Sequence, residues 1–335
     1  MQPLSFSFII PVYNRPEEIK ELLDSFLGVK GIEDYEIVIV EDGSSKPSKA
    51  VTDACRDQLS ISYYQKENTG PGDSRNFGMQ KAKGNYFIIL DSDCLLPPDY
   101  LTSVKNSLEA NYVDCYGGPD AAHKSFSNLQ KAIDFSMTSI ITTGGIRGGK
   151  QQVDEFQPRS FNMGLSKAAF EATGGFGDIH PGEDPDLSIR LKKLGFKTTL
   201  IPEAFVYHKR RISWSKFYKQ VNKFGMTRPI LNSWHPESRK LTYWFPTIFI
   251  LLLIAAVIGF VFGRPVPLLL YAIYFIVAFI MALLKTNFVS ALMVIPAILI
   301  QFFGYGWGFL KSTLLLKLSR KTPQQLFPNL FFSNQ

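Results

Sequence analysis

Residues 85–98 read NYFIILDSDCLLPP, and this stretch decides how the first part of the chain is interpreted. The apolar run at residues 86–90 predicts a buried strand that ends directly at Asp91 and Asp93. Open α/β sheets bind ligands beyond the carboxyl ends of their strands, so both carboxylates are expected at a binding edge. In an extended chain they would face the same way and could share one divalent cation, although Asp-Ser-Asp is also common turn chemistry.

Short apolar runs alternate with helical patterns on both sides of this stretch. Further strands are predicted at residues 5–12, 35–40, 60–65, 112–116, 161–166 and 196–206. Helices are predicted at residues 16–27, 48–58, 73–82, 98–110, 125–141, 167–173 and 184–194. Strands that alternate with helices in this way predict an α/β fold with a doubly wound, mostly parallel sheet.

The 335 residues carry a net charge of +7, but this charge is unevenly distributed. Residues 1–208 carry −7, residues 209–240 carry +8, and residues 241–335 carry +6 without any acidic residue. The basic collar at residues 209–240 precedes apolar sequence, which favours an anionic membrane surface or phosphate groups as its partner. No nucleic-acid-binding motif accompanies these basic residues, so nucleic acid is disfavoured as a partner.

The cysteines and the first residues of the chain indicate its compartment. Cys55, Cys94 and Cys115 are an odd set without a CxxC spacing, so they predict neither a disulfide framework nor a zinc site. This usage is typical of a reducing compartment. Residues 1–10 lack a basic segment followed by a long apolar core, so no signal peptide is predicted and residues 1–208 are expected in the cytosol.

Three apolar runs follow the basic collar, at residues 245–262, 265–284 and 288–310. They contain 18, 20 and 23 residues, near the roughly 20 needed to cross a bilayer, so three transmembrane segments are predicted. The basic collar favours a cytosolic side for the residues before it, and three crossings would place the basic tail at residues 311–335 outside. That arrangement conflicts with the positive-inside rule, so the side of the tail stays open.

Several short motifs follow one another in the part of the chain before the basic collar. They are FIIPVYN at residues 8–14, VIVEDGSS at 38–45, NTGPGDSRNFG at 68–78, DSD at 91–93, NMG at 162–164, GGF at 174–176 and GEDPDLSIR at 182–190. In this order and spacing they resemble the family 2 glycosyltransferases. The resemblance implies a GT-A fold, which is Rossmann-like, and an enzyme that transfers a sugar from a nucleotide sugar with inversion.

The resemblance also implies which residues bind the donor. They are Pro11, Val12, Asn14, Asp42, Arg75 and Asp91. A carboxylate such as Asp42 can accept from a base N–H or from ribose hydroxyls, although Asp42-Gly43 is also a common turn pair. Arg75 lies near a predicted helix start, where backbone N–H groups and a guanidinium could meet a pyrophosphate. A solvated arginine at the helix start is the alternative.

A divalent metal is implied at the leaving-group side of the site. Asp93, with Asp91 beside it, would hold this metal, and related enzymes often add a histidine at the position of His208. Carboxylate and phosphate oxygens are hard ligands, so Mg²⁺ or Mn²⁺ is expected rather than zinc. Alternatively, His208 is a surface histidine within a basic run.

The acid pair Glu183-Asp184 is implied to supply the catalytic base, with Asp184 as the base and Glu183 in support. The base takes the proton of the acceptor hydroxyl as that oxygen attacks the anomeric carbon, opposite the leaving diphosphate. Asp184 followed by Pro185 is also good helix-start chemistry, which is the structural alternative. Asp186 is expected to be a first-turn acid that the helix dipole favours.

Two further stretches bear on the reaction. Residues 220–224, QVNKF, resemble only faintly the Gln-x-x-Arg-Trp motif of processive synthases and differ at both final positions, so a single addition is predicted. Residues 142–152 contain four glycines and little apolar sequence, which predicts a mobile loop that serves either as a lid or as a plain connector.

These observations predict a multi-pass protein of the inner (plasma) membrane with a cytoplasmic catalytic domain. The expected domains are a GT-A domain at residues 1–208, interfacial helices at 209–244, transmembrane segments at 245–310 and a basic tail at 311–335. The expected reaction is metal-dependent transfer from a nucleotide sugar to a membrane lipid or lipid-linked glycan, in surface polysaccharide or glycolipid synthesis. The alternatives are transfer to a polyprenyl phosphate and a non-catalytic nucleotide-binding membrane module.

Overall fold

The structure, a computed structural model, describes residues 3–31, 34–121, 126–144, 157–208 and 213–332. The chain divides into two compact units. The first unit, here called the head, comprises Met1–His123, Gly148–Lys209 and Phe331–Gln335. The second, here called the helical unit, comprises Lys124–Arg147 and Arg210–Leu330. The head therefore includes a short segment that follows all of the apolar runs.

The described elements alternate between strands and helices through most of the head. The strands are β1 (Phe6–Val12), β2 (Tyr35–Asp42), β3 (Ile61–Lys66), β4 (Tyr86–Leu90), β5 (Cys94–Leu95), β6 (Cys115–Gly117), β7 (Asp120–Ala121), β8 (Asn162–Ser166), β9 (Thr198–Leu200) and β10 (Val206–His208). The helices are α1 (Pro16–Phe26), α2 (Lys49–Asp53), α3 (Pro71–Lys81), α4 (Tyr100–Ala110), α5 (Asn128–Thr138), α6 (Ile140–Thr143), α7 (Lys167–Thr173), α8 (Glu183–Lys193), α9 (Trp214–Trp234), α10 (Phe245–Val261), α11 (Val266–Leu283), α12 (Phe288–Leu318) and α13 (Pro323–Leu326).

The main sheet of the head has seven strands in the order β3-β2-β1-β4-β8-β6-β9. The strands β3, β2, β1 and β4 run parallel, and β8 pairs antiparallel with both β4 and β6. A smaller sheet has the order β5-β10-β7. The predicted α/β fold with a mostly parallel sheet is confirmed.

Apolar side chains on both faces of the main sheet form its core. On one face, Phe8 and Ile10 of β1 pack with the stripe of α1 that includes Ile19 and Leu23. On the other face, Ile9 packs among residues of α3 and α8. Because successive strand residues point to opposite faces, an unbroken apolar run such as residues 8–10 needs helices on both sides.

Three predicted elements have different bounds in the structure. The predicted strand at residues 196–206 is two short strands, β9 and β10, which belong to different sheets. The predicted helix at residues 125–141 is interrupted at Ser139, whose extended backbone separates α5 from α6. Thr142 and Thr143 end α6, whereas residues 145–152 of the predicted glycine-rich loop lie outside the described residues.

In the helical unit, α9 and α12 approach each other closely because glycines face the partner helix. A Cβ added at Gly225 would lie 2.1 Å from the backbone oxygen of Tyr305, and one at Gly304 would lie 2.6 Å from Val221. Helix α9 carries part of the basic collar, including the exposed Lys216 and Lys219. The collar residues Lys209, Arg210 and Arg211 lie outside the described residues.

Three helices of the helical unit are long and apolar enough to cross a membrane. These candidate spans are Leu241–Val261, Val266–Leu283 and Phe288–Leu318, with mean hydropathies of 2.6, 2.5 and 2.0. The first two expose large apolar side chains, as at Leu252 (58%) and Leu270 (63%). Such surface is stable in lipid and unfavourable in water, which associates these helices with a membrane. The third continues past the predicted end at residue 310, to Leu318.

Candidate functional site

The carboxyl ends of the parallel strands bring several predicted donor residues to one edge of the main sheet. The register pairs Pro11 with Val40 and Val12 with Glu41, so the ends of β1 and β2 lie side by side. Asn14 follows with a φ of +55°, and its side-chain oxygen accepts from Ser45 Oγ at 3.0 Å and from Lys46 N at 2.9 Å. Asn14 therefore fixes the loop that follows β2.

Asp42 is buried at the end of β2, and both of its carboxylate oxygens are engaged. Oδ1 accepts from Lys66 Nζ at 2.8 Å and from Thr69 N at 3.0 Å. Oδ2 accepts from Gly70 N at 3.0 Å. The Asp42 side chain thus holds the loop before α3, a role larger than that of a simple Asp-Gly turn.

Arg75, on the first turns of α3, is buried between two carboxylates. Its Nη2 donates to Asp91 Oδ1 at 2.8 Å and its Nη1 donates to Glu183 Oε1 at 2.9 Å. Burial lowers the pKa of Arg75, but Asp91 and Glu183 outweigh that effect and raise the pKa above its ordinary value. The alternative of a solvated arginine is wrong, and Arg75 links the acids after β4 to the acids that begin α8.

Asp91 and Asp93 do not share one direction, because the chain turns at this point. Cys94 N donates to Asp91 O at 3.1 Å and closes the turn, so the expected extended conformation is wrong. Asp91 turns to Arg75, whereas Asp93 accepts from Arg15 Nη1 at 2.6 Å and lies 3.1 Å from His208 Nε2.

Asp93 and His208 form the core of a candidate metal site. Together with Cys94, they place possible ligand atoms within 4.8 Å of one another. The His208 side chain is only 16% exposed and its ring stacks on Phe161 at 4.9 Å, so the surface alternative is wrong. His208 Nδ1 lies 3.8 Å from Asp120 Oδ2, which orients the imidazole.

The Asp93 carboxylate is held in its ionised form. Burial raises its pKa, but His208 and Arg15 outweigh this effect and hold the pKa below its usual range. Asp93 Oδ1 is buried and makes no hydrogen bond within the described part of the chain. A carboxylate oxygen and an imidazole nitrogen that converge fit Mg²⁺ or Mn²⁺. Cys94 Sγ, which donates to Phe161 O at 3.4 Å, is too soft a ligand for these ions.

The two acids at the start of α8 have different surroundings. Glu183 is 3% exposed, and it accepts from Arg75 and from Gly182 N (2.9 Å) and lies 3.1 Å from His180 Nδ1. Burial raises the pKa of Glu183, but His180 and Arg75 outweigh it and lower the pKa below its usual range. Asp184, with a side chain 17% exposed, lies 3.6 Å from Arg159 Nη1.

The helix-start alternative for Asp184 is wrong, because Gly182 caps α8 with a φ of +126° and Asp184 is the second helical residue. Asp186 lies in the first turn as expected, and its carboxylate accepts from Arg190 Nε at 2.9 Å. That ion pair explains Asp186 without a catalytic role.

Sequence reasoning missed four residues that organise the site. They are Arg15, Asp120, Arg159 and His180. Only Asp120 had a signal of the kind used above, since it is an acid just after the apolar residues of β6. The other three are charged or polar side chains in loops, where no periodicity indicates their partners.

Comparison with known proteins identifies the class of this site. Residues 7–172 match the family model described as "Glycosyl transferase family 2". An uncharacterized glycosyltransferase of Rickettsia felis is 37% identical over 105 residues, which are 31% of this chain and 17% of that protein. Validoxylamine A glucosyltransferase of Streptomyces hygroscopicus is 28% identical over 233 residues, 59% of this chain and 54% of that protein. The chain thus spans about a sixth to about half of these relatives.

A solved structure shows a similar fold over most of the chain. The mannosyltransferase from Pyrobaculum calidifontis, in complex with GDP-Man and Mn²⁺, aligns with a TM-score of 0.55 at 17% identity. The alignment covers 96% of this chain and 89% of that one. The predicted GT-A fold and the predicted family are confirmed.

Proposed function

Because the chain belongs to glycosyltransferase family 2, we propose that it transfers a sugar from a nucleotide sugar to a membrane-associated acceptor, with inversion and with a divalent metal. The observation that carries this proposal is the Arg75 bridge between Asp91 and Glu183. It joins the carboxyl edge of the parallel strands to the acid pair that begins α8. A donor at this edge and an acceptor at α8 would then be within reach of each other.

On the donor side, we propose that the nucleotide lies against Pro11, Val12, Asn14 and Asp42. A carboxylate offers about four lone-pair positions, and the described donors to Asp42 use three of them. One position therefore remains for an N–H of the base or a ribose hydroxyl. The partly exposed Asp91, whose side chain is 32% accessible, supports a further contact with the donor.

Asp93 and His208 would hold the metal, with Asp91 nearby. When bound, Mg²⁺ or Mn²⁺ would supply positive charge that stabilises the departing diphosphate. The chain prepares for this by keeping Asp93 ionised and by orienting His208 against Phe161 and Asp120. Arg15, which pairs with Asp93 and has a side chain 33% exposed, lies where it could also meet a phosphate oxygen.

On the acceptor side, Asp184 is proposed as the base. It takes the proton from the acceptor hydroxyl while that oxygen forms a bond to the anomeric carbon and the bond from this carbon to the diphosphate oxygen breaks. Both electrons of the broken bond leave with the nucleoside diphosphate. Glu183 is saturated by Arg75, His180 and Gly182, which supports a role in holding the site and leaves the base role to Asp184.

A membrane acceptor is proposed because the apolar helices of the helical unit need lipid. Residues 331–332 belong to the head, so they lie on the same side of a membrane as the other head residues. The helices between would then make an even number of complete crossings. We propose that α10 and α11 cross, because only 17% and 11% of their most apolar windows are buried, against 44% for α12.

The decisive experiment uses the full chain in lipid nanodiscs with a panel of nucleotide sugars and a native lipid extract, with Mn²⁺, Mg²⁺ or EDTA. The proposal predicts metal-dependent formation of a glycosylated lipid, detected by mass spectrometry. Absence of nucleotide release with every donor would overturn it. A product with a glycosyl phosphate linkage, formed equally well by Asp184→Asn, would instead indicate a polyprenyl phosphate acceptor, because that acceptor has no hydroxyl to deprotonate.

A further inference from the structure

A small pocket lies in the head beside the acid pair of α8. Its volume is about 180 Å³, below the roughly 300–1,000 Å³ of sites for drug-sized ligands. Its walls come from the start of α3, from residues 176–180 and from residue 332. The side chains used below are Thr69, Asp73, Phe176, Asp178, His180 and Phe332. None of them has been assigned to the donor or to the base.

The segment at residues 331–332, here called the returning segment, is built into the wall of this pocket. Phe331 forms an antiparallel bridge with Ile179, and both side chains are 1% exposed. The ring of Phe332 packs against Gly70, where an added Cβ would meet it at 2.3 Å. Its centroid lies 5.9 Å from that of the His180 ring. Gly70 and its neighbours therefore leave space that Phe332 fills.

The pocket is close to the reacting groups. His180, which lines it, lies 3.1 Å from Glu183 Oε1, and Glu183 precedes the proposed base Asp184. Gly72 forms part of the wall nearest Glu183, since a Cβ added there would lie 3.9 Å from Glu183 Cβ and 2.9 Å from Gly177 O. A ligand in the pocket would thus be adjacent to the start of α8.

The chemistry of the walls suits a sugar ring. Phe176 and Phe332 offer aromatic surface, which packs against the apolar C–H face of a pyranose. Asp73, Asp178 and Thr69 offer oxygens that accept hydrogen bonds from hydroxyl groups at the ring edge. The Asp178 side chain is exposed, so its carboxylate is accessible to such a ligand. The small volume limits the ligand to about one ring.

We propose that this pocket binds the terminal sugar ring of the acceptor, and that Phe332 of the returning segment determines which sugar is accepted. The proposal rests on the proposed function and adds to it a substrate class, an acceptor that ends in a saccharide. It also assigns a specificity role to a residue that follows all three apolar helices in the chain.

The first test measures direct binding, so that it does not depend on turnover. Saturation-transfer NMR is recorded with the full chain in detergent and with p-nitrophenyl β-glucoside, β-galactoside, α-mannoside and β-N-acetylglucosaminide. Wild type is expected to bind at least one of these probes, and Phe332→Ala is expected to weaken its binding by roughly 3- to 10-fold, the worth of an aromatic contact. No binding of any probe, or equal binding by Phe332→Ala, would overturn the proposal.

The second test separates the acceptor from the donor. In the presence of a bound probe, Phe332→Ala is expected to raise the KM for the acceptor and to leave donor cleavage without acceptor within about 2-fold. Phe332→Trp should change the order of preference among the four probes. Phe77→Ala is the matched control, because Phe77 packs on Tyr64 and lies elsewhere on α3.

Asp178→Asn provides a variant with little risk of misfolding, because the side chain is exposed. It should raise the KM for the acceptor in the same direction as Phe332→Ala. A parallel loss of acceptor-free donor cleavage in both variants would place the donor in the pocket and overturn the inference. If wild type cleaves no nucleotide sugar at all, the proposed function fails, while the binding experiment still decides on the pocket.

Discussion

Two buried carboxylates in the head have the same kinds of partners and serve different ends. Asp93 has Arg15 and His208, and Glu183 has Arg75 and His180. Arg75 is buried and also holds Asp91, whereas the Arg15 side chain is 33% exposed. The two sites therefore differ in access. The Glu183 cluster is a closed brace, and the Asp93 cluster is open enough to receive a ligand.

This difference teaches that residue type alone does not separate a brace from a ligand site. Glu183 Oε1 accepts from Arg75 and lies beside His180, and Oε2 accepts from Gly182 N. Asp93 Oδ1 has no hydrogen bond within the described residues and lies against an imidazole. Exchange of these two roles by mutation should therefore be asymmetric, which the following predictions examine.

The largest expected effect is that of Asp184→Asn, next to the closed brace. Loss of the base should reduce kcat by roughly 10²- to 10⁴-fold and leave the KM for the donor unchanged, because the amide cannot take the proton. Steady-state nucleotide release with a saturating lipid acceptor measures this. Asp186→Asn is the matched control, since that carboxylate pairs with Arg190, and an equal loss of kcat in both variants would contradict the assignment.

Asp93→Ala should weaken Mn²⁺ binding by about 100-fold, since it removes the hard oxygen ligand of the open cluster. Electron paramagnetic resonance of Mn²⁺ titrated into the full chain measures this without turnover. Glu183→Gln should bind Mn²⁺ as wild type does. If both variants lost Mn²⁺ equally, the distinction between open site and closed brace would be wrong.

Glu183→Ala should destabilise the head by about 3 kcal/mol, because it leaves the buried guanidinium of Arg75 with only one carboxylate. The midpoint of chemical denaturation, followed by circular dichroism, gives the change. Asp93→Ala should cost less, since Arg15 can turn toward water. A larger loss for Asp93→Ala would reverse the comparison.

The smallest expected effect is a pH dependence of stability. The pKa of Glu183 is lowered in the folded head from its ordinary value of 4.5, so the unfolded chain binds the proton more readily. The stabilisation is therefore complete above about pH 5 and declines as the pH falls below 4.5 toward the lower folded value. Thermal unfolding between pH 3 and 7 should show a steeper acid decline for wild type than for Glu183→Gln, and equal slopes would contradict this.

The sheet and its carboxyl edge were predictable because they follow from local patterns. The apolar runs that became β1, β2 and β4 are long, and each is followed by polar turn residues. The position of Asp42 and Asp91 at one edge follows from the parallel arrangement alone. The acid pair of α8 and the approach of His208 to Asp93 were expected from the family resemblance rather than from any local pattern.

The partners within the site were not predictable in the same way. Arg15 and His180 lie in loops, and their pairing with Asp93 and Glu183 depends on distances across the fold. The turn at residues 91–94 was missed, because an alternating pattern was extended past the end of β4. Two aromatic residues after a long apolar helix carry no periodic signal, so the return of Phe331 and Phe332 to the head had none.

The position of Phe332 has a consequence for the order of events during synthesis. Domains generally fold as they emerge from the ribosome, beginning with the residues translated first. The sheet and both acid clusters are complete in sequence by His208, but the wall formed by Phe332 is translated only after all three apolar helices. A nascent head would therefore lack its finished pocket until those helices had been made. Sugar transfer would then be timed to follow insertion into the membrane.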